Sequence, residues 1–180
     1  MNILLGITGS VAACLTNKLC EEFRVCGDSV RVVATEKAIH FIDEQSRNDT
    51  MFTITEKDEW SWKKLGDPVV HVELRNWMDI LLIAPLTANT LAKMVHGICD
   101  NLLLSIWLAR GNKPVIIAPA MNTYMLTNQI TQNNLSNFRN LNNTYVIDPI
   151  IKKLACGDVG IGALAPIDQI VKFTRNVQLL

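Results

Sequence analysis

The sequence has no excess of charge of either sign: 17 Lys and Arg stand against 17 Asp and Glu. That balance removes the electrostatic footprint of a nucleic-acid binder or of a protein drawn to an acidic membrane. The basic residues are scattered, and the densest clusters are Lys63-Lys64 and Lys152-Lys153. Metal-type cysteine spacing is missing as well. The five cysteines (Cys14, Cys20, Cys26, Cys99, Cys156) are odd in number and contain no Cys-x-x-Cys pair, and the three histidines are far apart. Neither a disulfide framework nor a zinc site is expected, and a reducing, cytoplasmic compartment is. Long apolar runs are also absent, so no membrane span is expected. The nearest imitation, Ile3-Leu4-Leu5 leading to Val11-Ala12-Ala13-Cys14, superficially resembles a lipidated secretory signal. It lacks a basic lead-in and is interrupted by Gly6-Ile7-Thr8-Gly9-Ser10, and it reads as mature structure. Repeats, low-complexity tracts and linkers are missing too. What remains, with 49% hydrophobic and 19% charged residues, is one globular domain spanning 1–180.

Short β-branched runs alternate with helical patterns along this chain. Asn2–Ile7 reads as a strand, and Ser10 is placed to cap a helix reaching Cys26, with Val11, Leu15, Leu19 and Phe23 recurring every four residues as one buried face. Ser29–Ala34 is a second strand, and Thr35–Phe41 a short helix start. Asp43–Lys64 is polar, carries Trp60 and Trp62, and reads as an exposed excursion or an oligomer contact. Asp79–Ala84 is a buried strand with a carboxyl-end loop from Pro85 to Thr90, then a helix over about 91–95 and another capped by Asp100 and ending at Ala109. Pro114-Val115-Ile116-Ile117 is a further buried strand, Gln129–Asn140 a polar helix and Tyr145–Asp148 a last strand. Ile151–Ala165 reads as a glycine-rich loop and Ile167–Val177 as a closing amphipathic helix. Such alternation predicts an α/β fold: a single Rossmann-like (flavodoxin-like) three-layer domain around a parallel sheet.

Three strand ends carry chemistry-bearing loops. Thr8-Gly9-Ser10 places a glycine and a helix amino end where an anion is approached, which suits phosphate. The pattern also reads as an ordinary helix cap. It is not Gly-x-Gly-x-x-Gly, so a mononucleotide-type cofactor fits better than a dinucleotide. Pro119-Ala120-Met121-Asn122 ends a strand abruptly, because Pro119 cannot donate to a ladder. Taken alone, Asn122 reads as a turn residue or helix cap, His71 as a structural hydrogen-bonder and Cys156 as a small buried hydrophobe. Against that last reading, Cys156-Gly157-Asp158-Val159-Gly160-Ile161-Gly162 has the glycines of a loop that closes over a ligand, and Lys152 and Lys153 just upstream favour a thiolate and an anionic substrate.

Taken together, Thr8-Gly9-Ser10-Val11-Ala12-Ala13, His71-Val72-Glu73-Leu74, Pro85-Leu86-Thr87-Ala88-Asn89-Thr90, Pro119-to-Met125 and Leu154-Ala155-Cys156-Gly157-Asp158-Val159-Gly160 appear in an order and spacing that resembles the homo-oligomeric flavin-containing cysteine decarboxylase family, from Ile3 to about Ala165. The resemblance implies an FMN enzyme that decarboxylates 4'-phosphopantothenoylcysteine to 4'-phosphopantetheine in coenzyme A biosynthesis. The chemistry implied is flavin oxidation, loss of carbon dioxide and re-reduction of the enethiolate. By similarity Gly9, Ser10, Val11 and Thr35 hold the flavin phosphate, Thr87, Ala88, Asn89 and Thr90 border the flavin, and Ala120 meets the ring edge. His71 is implied as base or proton shuttle and Cys156 as the acid that completes the reaction. Asn122 is implied as the carboxylate clamp, with Met125, Lys153, Ala155 and Leu164 around the substrate, in a mobile recognition loop over 151–166. A homotrimer with active sites at subunit interfaces is implied as well. Departures from the family pattern are Thr87 for serine, Leu126 for tryptophan, Leu164 for methionine and Lys37 for a small hydroxyl residue. The family also contains peptidyl-cysteine decarboxylases, which lack the thiol of Cys156, and phosphatase-inhibitory relatives with long amino-terminal regions and acidic tails.

Overall fold

Parallel strands buried on both faces need apolar side chains at every position, and that requirement organises the molecule. The structure, a computed structural model, describes residues 1–42, 59–60, 62–154 and 157–177. Its main sheet has the order β2-β1-β3-β4-β5, built from β1 (Asn2–Ile7), β2 (Ser29–Ala34), β3 (Ile80–Leu86), β4 (Val115–Pro119) and β5 (Thr144–Val146). Every pairing in it is parallel. All seven residues of β3 and all five of β4 are buried.

Strand alternation divides these side chains between two cores. Ile3, Leu5 and Ile7 of β1, with Leu82 and Ala84 of β3, face α1 (Thr16–Val25) and, at the carboxyl end of the chain, the helix Ile167–Val177. Leu4, Leu81, Ile83 and Ile117 point the other way. They meet α3 (Val70–Trp77), α4 (Ala88–Val95), α5 (Leu102–Ala109) and α7 (Gln129–Arg139). The remaining helices are short: α2 (Glu36–Ile39) after β2 and α6 (Thr123–Thr127) after β4. The Ile167–Val177 helix is α8. The result is the expected three-layer α/β domain. At the far end of the sheet Arg110 lies over the Trp107 ring at 4.6 Å and donates to the carbonyls of Lys113 and Asn142, each at 2.9 Å. Burial pushes its guanidinium below the ordinary arginine value.

Several sequence expectations are corrected. Val11 and Leu15 are not buried: they are 51% and 38% exposed, because Val11–Leu15 winds as a 3-10 turn before α1 begins. That tighter turn rotates them off the face that Leu19 and Phe23 bury. Strand β3 continues through Pro85 to Leu86, so α4 starts directly at Ala88 with Thr87 as its cap. The ladder to β4 shifts register between Ile83 and Leu86, around a proline that has no N–H to offer. Asn101, not Asp100, caps α5, accepting from Leu104 N at 3.0 Å, while Asp100 pairs with Lys93. The glycine-rich segment expected as a loop is an antiparallel hairpin, β6 (Ile150–Lys153) with β7 (Val159–Ala163). Most of Asp43–Lys64 lies outside the described residues.

Candidate active site

The sheet order reverses between β1 and β3, and in open α/β sheets the crevice at such a reversal, beyond the carboxyl ends of the strands, is where ligands bind. One side chain ties the two strand ends together. Thr8 is fully buried; its hydroxyl donates to the Pro85 carbonyl at 2.8 Å and accepts from Thr87 N at 2.9 Å, while Thr8 N donates to the same carbonyl at 3.3 Å. Ser10 extends the tie to β4. Its hydroxyl accepts from Ala12 N at 3.4 Å, capping the 3-10 turn, and donates to the Ala120 carbonyl at 3.3 Å. Thr87 caps α4 by accepting from Thr90 N at 3.3 Å, and donates to the Thr90 hydroxyl at 3.2 Å. Gly9 is required by packing. A Cβ there would sit 2.7 Å from Lys37 Cβ, because α2 lies directly against the turn. Thr35 caps α2 from backbone only, with no side-chain cap bond.

In front of this turn lies a cavity of about 460 Å³, lined by Ser10, Val11, Ala120, Asn122, Lys153 and Leu164 among others. Three separate sequence motifs therefore meet: the Gly-Ser turn, the end of β4 and the hairpin. The exposed Val11 and Leu15, misread as core, are part of this wall. Asn122 caps α6, its side chain accepting from Tyr124 N at 2.9 Å, and the residue also lines the cavity.

The hairpin is docked on the Asn122 loop by two bonds. Met121 N donates to the Gly162 carbonyl at 2.9 Å, and the Thr123 hydroxyl donates to the Ile161 carbonyl at 2.8 Å. A Cβ on Gly162 would run into the Met121 carbonyl, and one on Gly160 into the Thr123 hydroxyl. The φ of Gly162, +136°, also disfavours any other residue. These glycines serve close approach. Lys152 and Lys153 are exposed on β6 and form no ion pair among the described residues.

Not every expected site residue reaches this cavity. Gly9, Thr35, Thr87, Ala88, Asn89, Thr90, Met125 and His71 are absent from its lining. Met125 is 49% exposed on α6. Cys156 and Ala155 lie outside the described residues. His71 stands at the second position of α3, half-buried, with ring Nδ1 against Glu59 Oε1 and backbone N donating to Glu59 Oε2 at 3.1 Å. Sequence reasoning missed Glu59: it sits in a polar stretch without periodicity or motif, twelve residues before its partner. Among the described residues no three His, Cys, Asp or Glu side chains group as a metal site.

The model of the family described as "Flavoprotein" matches residues 1–179. The chain belongs to that family. Within it, this chain is similar to the phosphopantothenoylcysteine decarboxylase of Oryza sativa subsp. japonica, 50% identical over 165 residues that cover 91% of this chain and 74% of the relative. Among solved flavoprotein structures, a cysteine-to-serine mutant of PPC decarboxylase complexed with pantothenoylaminoethenethiol superposes with a TM-score of 0.93 at 43% identity, over 99% of this chain and 98% of that one. The FMN binding protein AtHal3 superposes with a TM-score of 0.88 at 46% identity, covering 97% of this chain and 95% of that one.

Proposed function

We propose that this flavoprotein carries out the FMN-dependent decarboxylation of 4'-phosphopantothenoylcysteine to 4'-phosphopantetheine in coenzyme A biosynthesis. The observation that carries the reading is the cavity where the Gly9-Ser10 turn, the Asn122 loop and the hairpin meet, in a chain 50% identical to a phosphopantothenoylcysteine decarboxylase. The residues fit a flavin mononucleotide: a turn that only glycine satisfies against Lys37, beside a serine-capped turn at the sheet's point of reversal, suits a phosphate group. The regulatory and peptidyl-cysteine alternatives are less supported, because the decarboxylase likeness spans 91% of the chain at that identity.

In this reading Gly9, Ser10, Val11 and Thr35 hold the cofactor phosphate, Thr87 to Thr90 border the flavin and Ala120 meets its edge. FMN, when bound, supplies the two-electron oxidation at the sulfur-bearing carbon that gives the leaving carboxylate an electron sink. The protein's own tasks are orientation and proton handling. Asn122 holds the substrate carboxylate, with Met125, Ala155 and Leu164 around it. Lys153 meets the anionic substrate with a charge that no carboxylate among the described residues neutralises. His71 takes the proton, and Cys156 returns one to the enethiolate. The segment 151–166, which carries most of the hairpin, is the substrate-recognition segment.

His71 lies outside the cavity of its own chain, which supports a homotrimer in which it serves the neighbour's cavity. Cys14, Cys26 and Cys99 are free thiols, in keeping with a cytoplasmic location. The test is mass spectrometry of the product formed from phosphopantothenoylcysteine by the purified, yellow protein. 4'-Phosphopantetheine is expected. No release of carbon dioxide from it, with turnover of a peptide ending in cysteine, overturns the substrate assignment. A monomer by sedimentation equilibrium that turns over fully overturns the shared site.

A further inference from the structure

Resting on that reading of His71, we propose that Glu59 is its positioning residue, fixing both the tautomer and the direction of the imidazole so that Nε2 is the atom that accepts the proton. The carboxylate uses both oxygens on this one residue. Oε1 meets His71 Nδ1, and Oε2 accepts from the His71 backbone N–H at 3.1 Å. An ionised carboxylate only accepts, so Nδ1 carries the hydrogen, and the neutral ring keeps its lone pair on Nε2. Nε2 itself has no hydrogen-bond partner among the described residues.

The second contact gives the first its rigidity. The N–H of His71 is one of the amino-terminal donors of α3 that no intrahelical carbonyl reaches. The α3 N-cap, Val69, provides no side-chain bond. Glu59 supplies that cap, and the same group that anchors the helix start therefore aims the ring. Both side chains are partly withdrawn from water, at 28% and 15% exposure, which favours a held geometry over a fluctuating surface pair. Two points of attachment on one residue leave the imidazole no rotation that keeps both. A glutamine at position 59 offers one acceptor and one donor; with its oxygen on the His71 backbone N–H, its amide donates to Nδ1 and favours hydrogen on Nε2.

The experiment is nitrogen NMR of holoprotein labelled with ¹⁵N-histidine, with the His71 signals identified by their loss in His71→Asn. The expected parent spectrum has hydrogen on Nδ1 and none on Nε2, whereas Glu59→Ala gives a mixture of tautomers and Glu59→Gln moves the hydrogen toward Nε2. In turnover, both variants should lose about 10- to 100-fold in kcat, the size of loss seen when the carboxylate that orients a metal-bound histidine is removed. KM for phosphopantothenoylcysteine and flavin content should stay the same. Glu59→Asp, which keeps two acceptors on a shorter arm, should fall between parent and Glu59→Gln. A parent spectrum with hydrogen on Nε2 overturns the proposal, and so does a tautomer unchanged in both variants, or an undiminished kcat. The NMR readout needs no turnover. An active His71→Asn enzyme would strike the assignment of His71 as base while leaving the Glu59 pairing to be judged by the spectra.

Discussion

Replacing Thr8 with valine removes one hydroxyl and almost nothing else, since the two side chains have nearly the same shape. The consequence is calculable. Thr8 is fully buried, so no water replaces what is lost. The Pro85 carbonyl keeps its bond from Thr8 N at 3.3 Å, but the 2.8 Å bond from the hydroxyl disappears. A net hydrogen bond of this kind contributes about 0.5–1.5 kcal/mol. Thr87 N, half-buried and donating to the hydroxyl at 2.9 Å, loses its partner, and leaving such a donor unsatisfied costs about 1–3 kcal/mol, less where water reaches it. The sum is about 1.5–4.5 kcal/mol, or about a 10- to 2,000-fold change in the folding equilibrium. Thr8→Ser keeps the hydroxyl and deletes only a methyl, at a cost of about 1 kcal/mol. The assay is urea unfolding of the two variants at equal protein and FMN concentration, with FMN affinity from flavin fluorescence alongside. Thr8→Val is expected to be the less stable of the two and to bind FMN more weakly, because the two strand ends are no longer tied. A Thr8→Val protein within about 0.5 kcal/mol of Thr8→Ser would refute the tie as a stabilising element.

Other substitutions test the remaining parts of the site. Gly162→Ala introduces a Cβ against the Met121 carbonyl at a φ of +136°, and should destabilise by about 1–3 kcal/mol while raising hydrogen exchange at the Met121 amide. His71→Asn should leave the protein yellow and abolish carbon dioxide release, read by flavin absorbance and a coupled gas assay. Cys156→Ser should still release carbon dioxide but accumulate the oxidised enethiol product by mass spectrometry; full conversion to 4'-phosphopantetheine would remove the thiol from the mechanism.

What the sequence makes legible here follows from which interactions are local. Apolar patterning is local, so Ser29–Ala34, marked by Val30, Val32 and Val33 although Ser29 and Arg31 are exposed, and the amphipathic Ile167–Val177 are read to the residue. Caps are local too, but Asp100 and Asn101 are equally capable of the role, and the choice falls to Asn101 with Asp100 paired to Lys93. Val11 and Leu15 satisfy the helical period yet face a cavity, because periodicity tells which residues share a face and not what lies opposite. The glycines of the hairpin read as mobility when their use is close approach to Met121 and Thr123. Glu59 is the extreme case. Its partner is twelve residues away across a stretch without pattern, and nothing but the fold brings the two together.

The docking of the hairpin on the Asn122 loop sets the unit in which this protein can be re-engineered. Lys153 and Leu164 belong to the hairpin segment, Asn122 to the end of β4, and the bonds from Met121 N and the Thr123 hydroxyl run between the two. A hairpin grafted from a relative keeps the backbone donor at Met121, but it must still present glycines that clear the Met121 carbonyl and the Thr123 hydroxyl, so residues 121–123 are best moved with it. On the proposed assignment of these residues to the substrate, preference follows a discontinuous cassette, 121–123 together with 150–164.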